Sequence, residues 1–128
     1  EITTRLVGSE MCIRDSAYTL ELLAKNKEVV IAVPGVSLTG ALIACGTSSG
    51  MATDKVEKFG IAMQKLAGTE IEIPEATRLA IVASVCETVD ADDHVLHICN
   101  VKNVYADESV DAVFGWKGYG EFAAAQKK

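Results

Sequence analysis

The chain has no surplus of basic residues. Twelve Lys and Arg stand against eighteen Asp and Glu, a formal net charge of −6 at pH 7. Without a basic stripe to meet phosphates, a nucleic-acid or anionic-membrane partner is excluded as the expectation. No apolar run approaches the ~20 residues needed to cross a bilayer. A signal-peptide pattern is missing too, because the first residues are polar and no long apolar segment follows them. Cys12, Cys45, Cys86 and Cys99 are widely spaced and form no C-x-x-C. That spacing argues against a zinc site or redox dithiol and favours free thiols in a cytoplasmic protein. There is no internal repeat and no linker.

What is present is one domain's worth of chain. At 128 residues, 49% of them hydrophobic, it is long enough for a real core and too apolar for disorder. From Ser16, residues 17–25 have helical character, with Leu20, Leu23 and Ala24 on one face. Residues 29–33 (VVIAV) form a continuous run of β-formers stopped by Pro34 and Gly35, the mark of a strand buried on both faces. Ser37 is positioned to cap a second helix over 38–45, rich in Leu and Ala. Asp54 is positioned to cap a short helix over 55–59, which Gly60 closes. Residues 69–73 alternate as a short edge strand ended by Pro74. Residues 78–88 and 94–105 read as an antiparallel hairpin with an acidic tip at 90–93. Both faces of its strands are largely apolar, so it is expected to be covered on both sides. The pattern is mainly β with short helices, an α+β chain.

Between the second and third helices lies Cys45-Gly46-Thr47-Ser48-Ser49-Gly50, followed by Asp54 and Lys55. Three hydroxyls, two glycines and a lysine suit a phosphate: glycine lets backbone N–H groups converge, hydroxyls donate, and lysine supplies charge. On physics alone that is a weak signal, and such a loop is more often a plain connection.

The pattern C-G-x-x-S-G-x-x-x-D-K-x-x-x-F-G at 45–60 resembles a segment of the flavin reductase-like, FMN-binding split-barrel family of flavoredoxin type. Supporting pieces are Tyr18-Thr19 with Leu22-Leu23, the strand 28–34, Asp93-His94 with Val101, and Gly115 with Gly118-Tyr119. Their order and spacing together carry the resemblance, over about 17–122. It implies a split β-barrel that dimerises, holds FMN, and moves hydride or electrons from NAD(P)H to a flavin, another acceptor or a redox partner protein. It also implies that Ser48, Ser49 and Gly50 hold the ribityl phosphate, that Lys55 offsets its charge, and that Tyr18 and Thr19 lie near the flavin. Thr47 and Cys45 border that loop and join the cofactor-binding set. No catalytic side chain is assigned, since hydride transfer through a flavin requires no protein acid or base. Relatives often carry Arg-Asp where this chain has Met51-Ala52, which removes a phosphate fork.

The resemblance also implies that the barrel's first strands are missing. Residues 8–16 (GSEMCIRDS) resemble a translated sequencing-adaptor string, so 1–16 are expected to be foreign or a strand remnant and 17–128 the flavin-binding domain. Two alternatives follow: an FMN-binding electron carrier without its own nicotinamide site, or a fragment inactivated by an open barrel edge.

Other residues have blander readings. His94 and His97 form H-x-x-H, but on a strand an offset of three puts them on opposite faces, against a metal site. Glu70, Glu72 and Glu75 read as an exposed strand face. Cys45 and Cys86 sit in apolar contexts and read as inert core thiols. Trp116 and Tyr119 read as packing residues, with flavin stacking the alternative.

Overall fold

The computed structural model describes residues 3–6, 18–50, 53–92, 94–115 and 122–125. The expectations for Cys12, Met51, Ala52, Asp93, Trp116, Tyr119 and the 8–16 string lie outside them. The chain forms two compact units, Glu1–Ile31 with Ile81–Val104, and Ala32–Ala80 with Tyr105–Lys128. Strands β1 (Thr3–Leu6), β2 (Glu28–Pro34), β5 (Thr77–Ala91) and β6 (His94–Ala106) make a four-stranded sheet in the order β1-β6-β5-β2.

In the first unit, β1 runs antiparallel to β6, with Thr3 opposite Asn100 and Leu6 opposite His97. Val85 N–H donates to the Lys27 carbonyl at 2.8 Å, and Lys102 pairs with Glu28. The hairpin turn carries Asp92 at φ 59°, the left-handed backbone that a tight two-residue connection demands. Asp tolerates it because its short polar side chain bonds locally. The core here is made of small groups: Val82, Ala83 and Cys99 are buried, together with His97. Only the first half of β5 is covered. From Cys86 to Ala91 every residue is exposed, so the hairpin projects into solvent and the two-sided cover expected of it stops near Val85. Cys86 is therefore an exposed thiol, not the core residue its neighbours suggested. Apolar context predicts burial only where a second layer exists to bury against. Helix α1 (Tyr18–Lys25) forms as expected, with Glu21 in its first turn and Lys25 in its last. The Asn26 side chain then accepts from Glu28 N–H at 3.1 Å and turns the chain into β2.

In the second unit, β3 (Met63–Lys65) pairs antiparallel with β4 (Glu72–Pro74), and β7 (Val113–Gly115) with β8 (Phe122–Ala124). The expected strand over 69–73 is thus half wrong. Thr69 and Glu70 belong to the turn, where the Thr69 hydroxyl donates to the Leu66 carbonyl and accepts from Ile71 N–H. A hydroxyl that satisfies its own turn backbone competes with the ladder and wins here. Gly68 at φ +74° completes that turn. Glu70, Glu72 and Glu75 are exposed, as expected. Leu66, Ile73, Thr77 and Ala80 form this unit's core.

The β2 exit is tight. Gly35 donates to the Ala76 carbonyl at 2.8 Å and Val36 to the Asp111 carbonyl at 2.9 Å. Ala76 itself sits at φ 59°. A Cβ on Gly35 would lie 2.5 Å from the Ala76 oxygen and 2.4 Å from Val110 Cγ1, so glycine is required by space, not by conformation.

Candidate functional site

The site grows from the end of one apolar helix. Val36–Leu38 is a single 3-10 turn that leads into α2 (Thr39–Gly46). Ser37 does not cap α2, because the intervening 3-10 turn moves the helix start past it. The hydroxyl that bonds there is Thr39's, donating to the Val36 carbonyl at 2.7 Å. Every residue from Ala41 to Cys45 is apolar, yet no α2 residue is buried.

At its C-terminus a helix leaves carbonyls without intrahelical partners, and these form the negative end of its dipole. Here three are taken by side chains. The Thr47 hydroxyl donates to the carbonyls of Ile43 and Ala44 at 3.1 and 3.2 Å. Lys55 Nζ donates to the Cys45 carbonyl at 2.7 Å. The loop 47–54 then runs into α3 (Lys55–Lys58). Asp54 caps α3 as expected, accepting from Val56 N–H at 3.0 Å and Glu57 N–H at 3.2 Å. Gly60 ends it in left-handed backbone, φ +58°. Its N–H reaches the Glu57 carbonyl at 3.2 Å, while Ile61 N–H reaches the Val56 carbonyl at 3.0 Å, the paired bonds of a Schellman stop. Both ends of the loop are therefore anchored.

Six of the eight sequence-derived site residues, Cys45, Thr47, Ser48, Ser49, Gly50 and Lys55, fall in this one segment of the second unit. Ser48, Gly50 and Lys55 are half-buried and Ser49 is exposed. Tyr18 and Thr19 belong to the first unit, half-buried and exposed at the start of α1. Half-buried Cys45 lines an open apolar cavity of about 160 Å³ with Leu38, Ala41, Leu42, Ile61 and Pro74.

The donor set has the chemistry a phosphate needs: an ammonium, serine hydroxyls and glycine backbone. An ammonium carries three N–H donors. Lys55 spends one on the Cys45 carbonyl. The Thr47 hydroxyl is different, because its one hydrogen is committed to helix carbonyls. Sequence reasoning saw Lys55 only as a counter-charge. Its role as a helix cap comes from ten residues away, and no local pattern announces it.

Elsewhere the titratable groups are structural. Burial pushes the Cys99 thiol up, with a smaller contribution from Cys86. His97 and half-buried His94 lie on one strand three residues apart, hence on opposite faces. Among the described residues no helix is long and apolar enough to cross a membrane.

Comparison with known proteins gives a consistent answer. The family described as "Flavin reductase like domain" matches residues 10–123. No curated protein matches. Among solved structures, flavoredoxin of Desulfovibrio vulgaris (Miyazaki F) is similar at TM-score 0.76 and 17% identity, over 97% of this chain and 76% of that one. An FMN-binding protein from Thermus thermophilus, with bound p-hydroxybenzaldehyde, is similar at TM-score 0.74 and 19% identity, over 98% and 75%. The NADH:FAD oxidoreductase of Streptomyces globisporus C-1027 is similar at TM-score 0.72 and 10% identity, over 98% and 85%.

Proposed function

The chain belongs to the flavin reductase-like domain family, and from that premise we propose that it binds FMN and passes hydride or electrons from NAD(P)H to a flavin or another acceptor. The observation that carries the reading is the anchored loop after α2. It gathers Ser48, Ser49, Gly50 and Lys55 between two fixed helix ends, a donor set that fits a flavin's ribityl phosphate. Bound FMN supplies the redox chemistry. The protein's own task is to bind, orient and exclude water. In this reading the serines and Gly50 donate to the phosphate and Lys55 supplies charge.

We further propose that the protein works as a homodimer. A helix apolar on all sides is expected to be buried. In the single chain α2 has no buried residue, and Val36 and Ile43 remain 42% and 40% exposed. A second copy covering α2 resolves that mismatch.

The test is the visible spectrum of purified protein after incubation with FMN and removal of excess, followed by NAD(P)H oxidation. Retained flavin bands and turnover support the reading. A folded protein that retains no flavin refutes it.

A second reading, an FMN-binding electron carrier with no nicotinamide site, draws support from the likeness to flavoredoxin. Rapid reduction by dithionite with slow reduction by NAD(P)H would select it.

A further inference from the structure

We propose that Lys55 is a positioning residue. Its bond to the Cys45 carbonyl clamps the loop shut, and this clamp presents the loop's donors to the flavin phosphate. The proposal rests on the FMN reading above and deepens it.

The argument begins at the end of α2. Carbonyls of the last turn carry the negative end of the helix dipole and repel an anion. Thr47 covers those of Ile43 and Ala44, and Lys55 covers that of Cys45. The Ile43 carbonyl also accepts the Thr47 backbone N–H at 3.1 Å, so without the side-chain caps a phosphate beside Ser48 would face the carbonyl oxygens of Ala44 and Cys45. The cap at Cys45 does more than mask charge. It joins residues ten apart in the chain with one short, part-buried, charge-assisted bond at 2.7 Å. The lysine that makes it is itself rigidly mounted. Asp54 caps the turn Lys55 begins, and Gly60 stops that turn. The clamp thus transmits the position of α3 to the end of α2. Residues 47–50, which leave the clamped helix end, are thereby held before any ligand arrives.

A lysine acting only as counter-charge has no reason to be fixed this way. Lysine suits solvated, freely rotating contact with phosphate. Here one of its three donors is spent inside the protein.

The experiment compares the full-length wild type with Lys55→Met and Lys55→Arg. Amide exchange of residues 46–54 is followed in flavin-free protein, and affinities for FMN and riboflavin are measured at low and high salt. For Lys55→Met, exchange in the loop is expected to rise about tenfold, the scale of one lost charge-assisted bond, with exchange elsewhere unchanged. FMN affinity is expected to fall by a factor of about ten or more at low salt, and most of that loss is expected to persist at high salt, while riboflavin affinity holds. Lys55→Arg keeps donors at similar reach and is expected to restore loop protection.

If Lys55→Met leaves loop exchange at the wild-type rate, and its FMN defect disappears in high salt, Lys55 is a plain counter-charge and the proposal is overturned. The underlying FMN reading fails separately. It fails if the wild type binds FMN no more tightly than riboflavin, a result that needs no variant.

Discussion

Gly35→Ala is the sharpest test of how the second unit is packed. Gly35 is buried, at φ −77° and ψ 163°, which any residue can adopt. Alanine would therefore meet no backbone penalty, only a steric one. The new methyl would sit 2.5 Å from the Ala76 oxygen and 2.4 Å from Val110 Cγ1. Each gap is roughly 1 Å short of van der Waals contact. Val110 can turn aside. The Ala76 carbonyl cannot, because it accepts the Gly35 N–H at 2.8 Å and belongs to a residue held at φ 59°. Overpacking of this kind costs about 1–3 kcal/mol, and loosening the hydrogen bond adds about 1 kcal/mol. A loss of about 3 kcal/mol is expected, a large share of the roughly 5–15 kcal/mol that keeps such a domain folded. Urea denaturation should show a lower midpoint, and thermal melting a Tm lower by about 10 °C. Gly40→Ala is the control. Nothing lies within 4 Å of its added Cβ, and it stands inside α2. It should gain about 0.5–1 kcal/mol. A Gly35→Ala loss below about 0.5 kcal/mol would refute the close-approach argument.

Other expectations follow from the same contacts. Asp54→Ala removes the α3 cap and should cost about 1 kcal/mol in denaturant unfolding. His97 is buried, and its Nδ1 has no partner among the described residues, so His97→Leu, close to it in volume, should leave stability unchanged or raise it by about 1 kcal/mol; a loss of more than about 1 kcal/mol would refute the unpartnered reading. The Ser109 hydroxyl, and then its backbone N–H, hold the Asp107 carboxyl below its ordinary value. A depressed carboxyl stabilises the fold above its unfolded-state value, and that contribution is lost as pH falls through the folded value. Ser109→Ala should move the Asp107 titration upward toward the ordinary range, read by carboxyl NMR, with the acid-unfolding transition beginning at higher pH. A thiol reagent should label exposed Cys86 in the native protein and spare buried Cys99 until unfolding.

Much of this protein was legible in the chain because the signals were local. The Asp54 cap, the Gly60 stop, α1, the long hairpin and the extent of β2 each follow from neighbouring residues whose backbone chemistry admits few alternatives. Yet β2 is not buried on both faces as expected, since Ala32 is exposed and none of its residues is fully buried. The composition of the loop after Cys45 pointed to a phosphate for the same reason, and the family match bears out the resemblance built on it. Where an outcome depended on what packs above a segment, sequence pattern misled. Cys86 looks apolar in context and is exposed, since the hairpin outruns its cover. Thr69 alternates like a strand residue and instead holds a turn. Ser37 lost its helix start to a 3-10 turn.

The sequence by itself determined the family resemblance, where most helices start and stop, and where the chain reverses. The last two are short-range matters of hydrogen bonding and allowed φ and ψ. Tertiary structure alone decided that Gly35 must lack a side chain and that the first donor of Lys55 goes to the Cys45 carbonyl. Each depends on atoms brought together from distant points, and close approach through space leaves no trace in the order of neighbours along the chain.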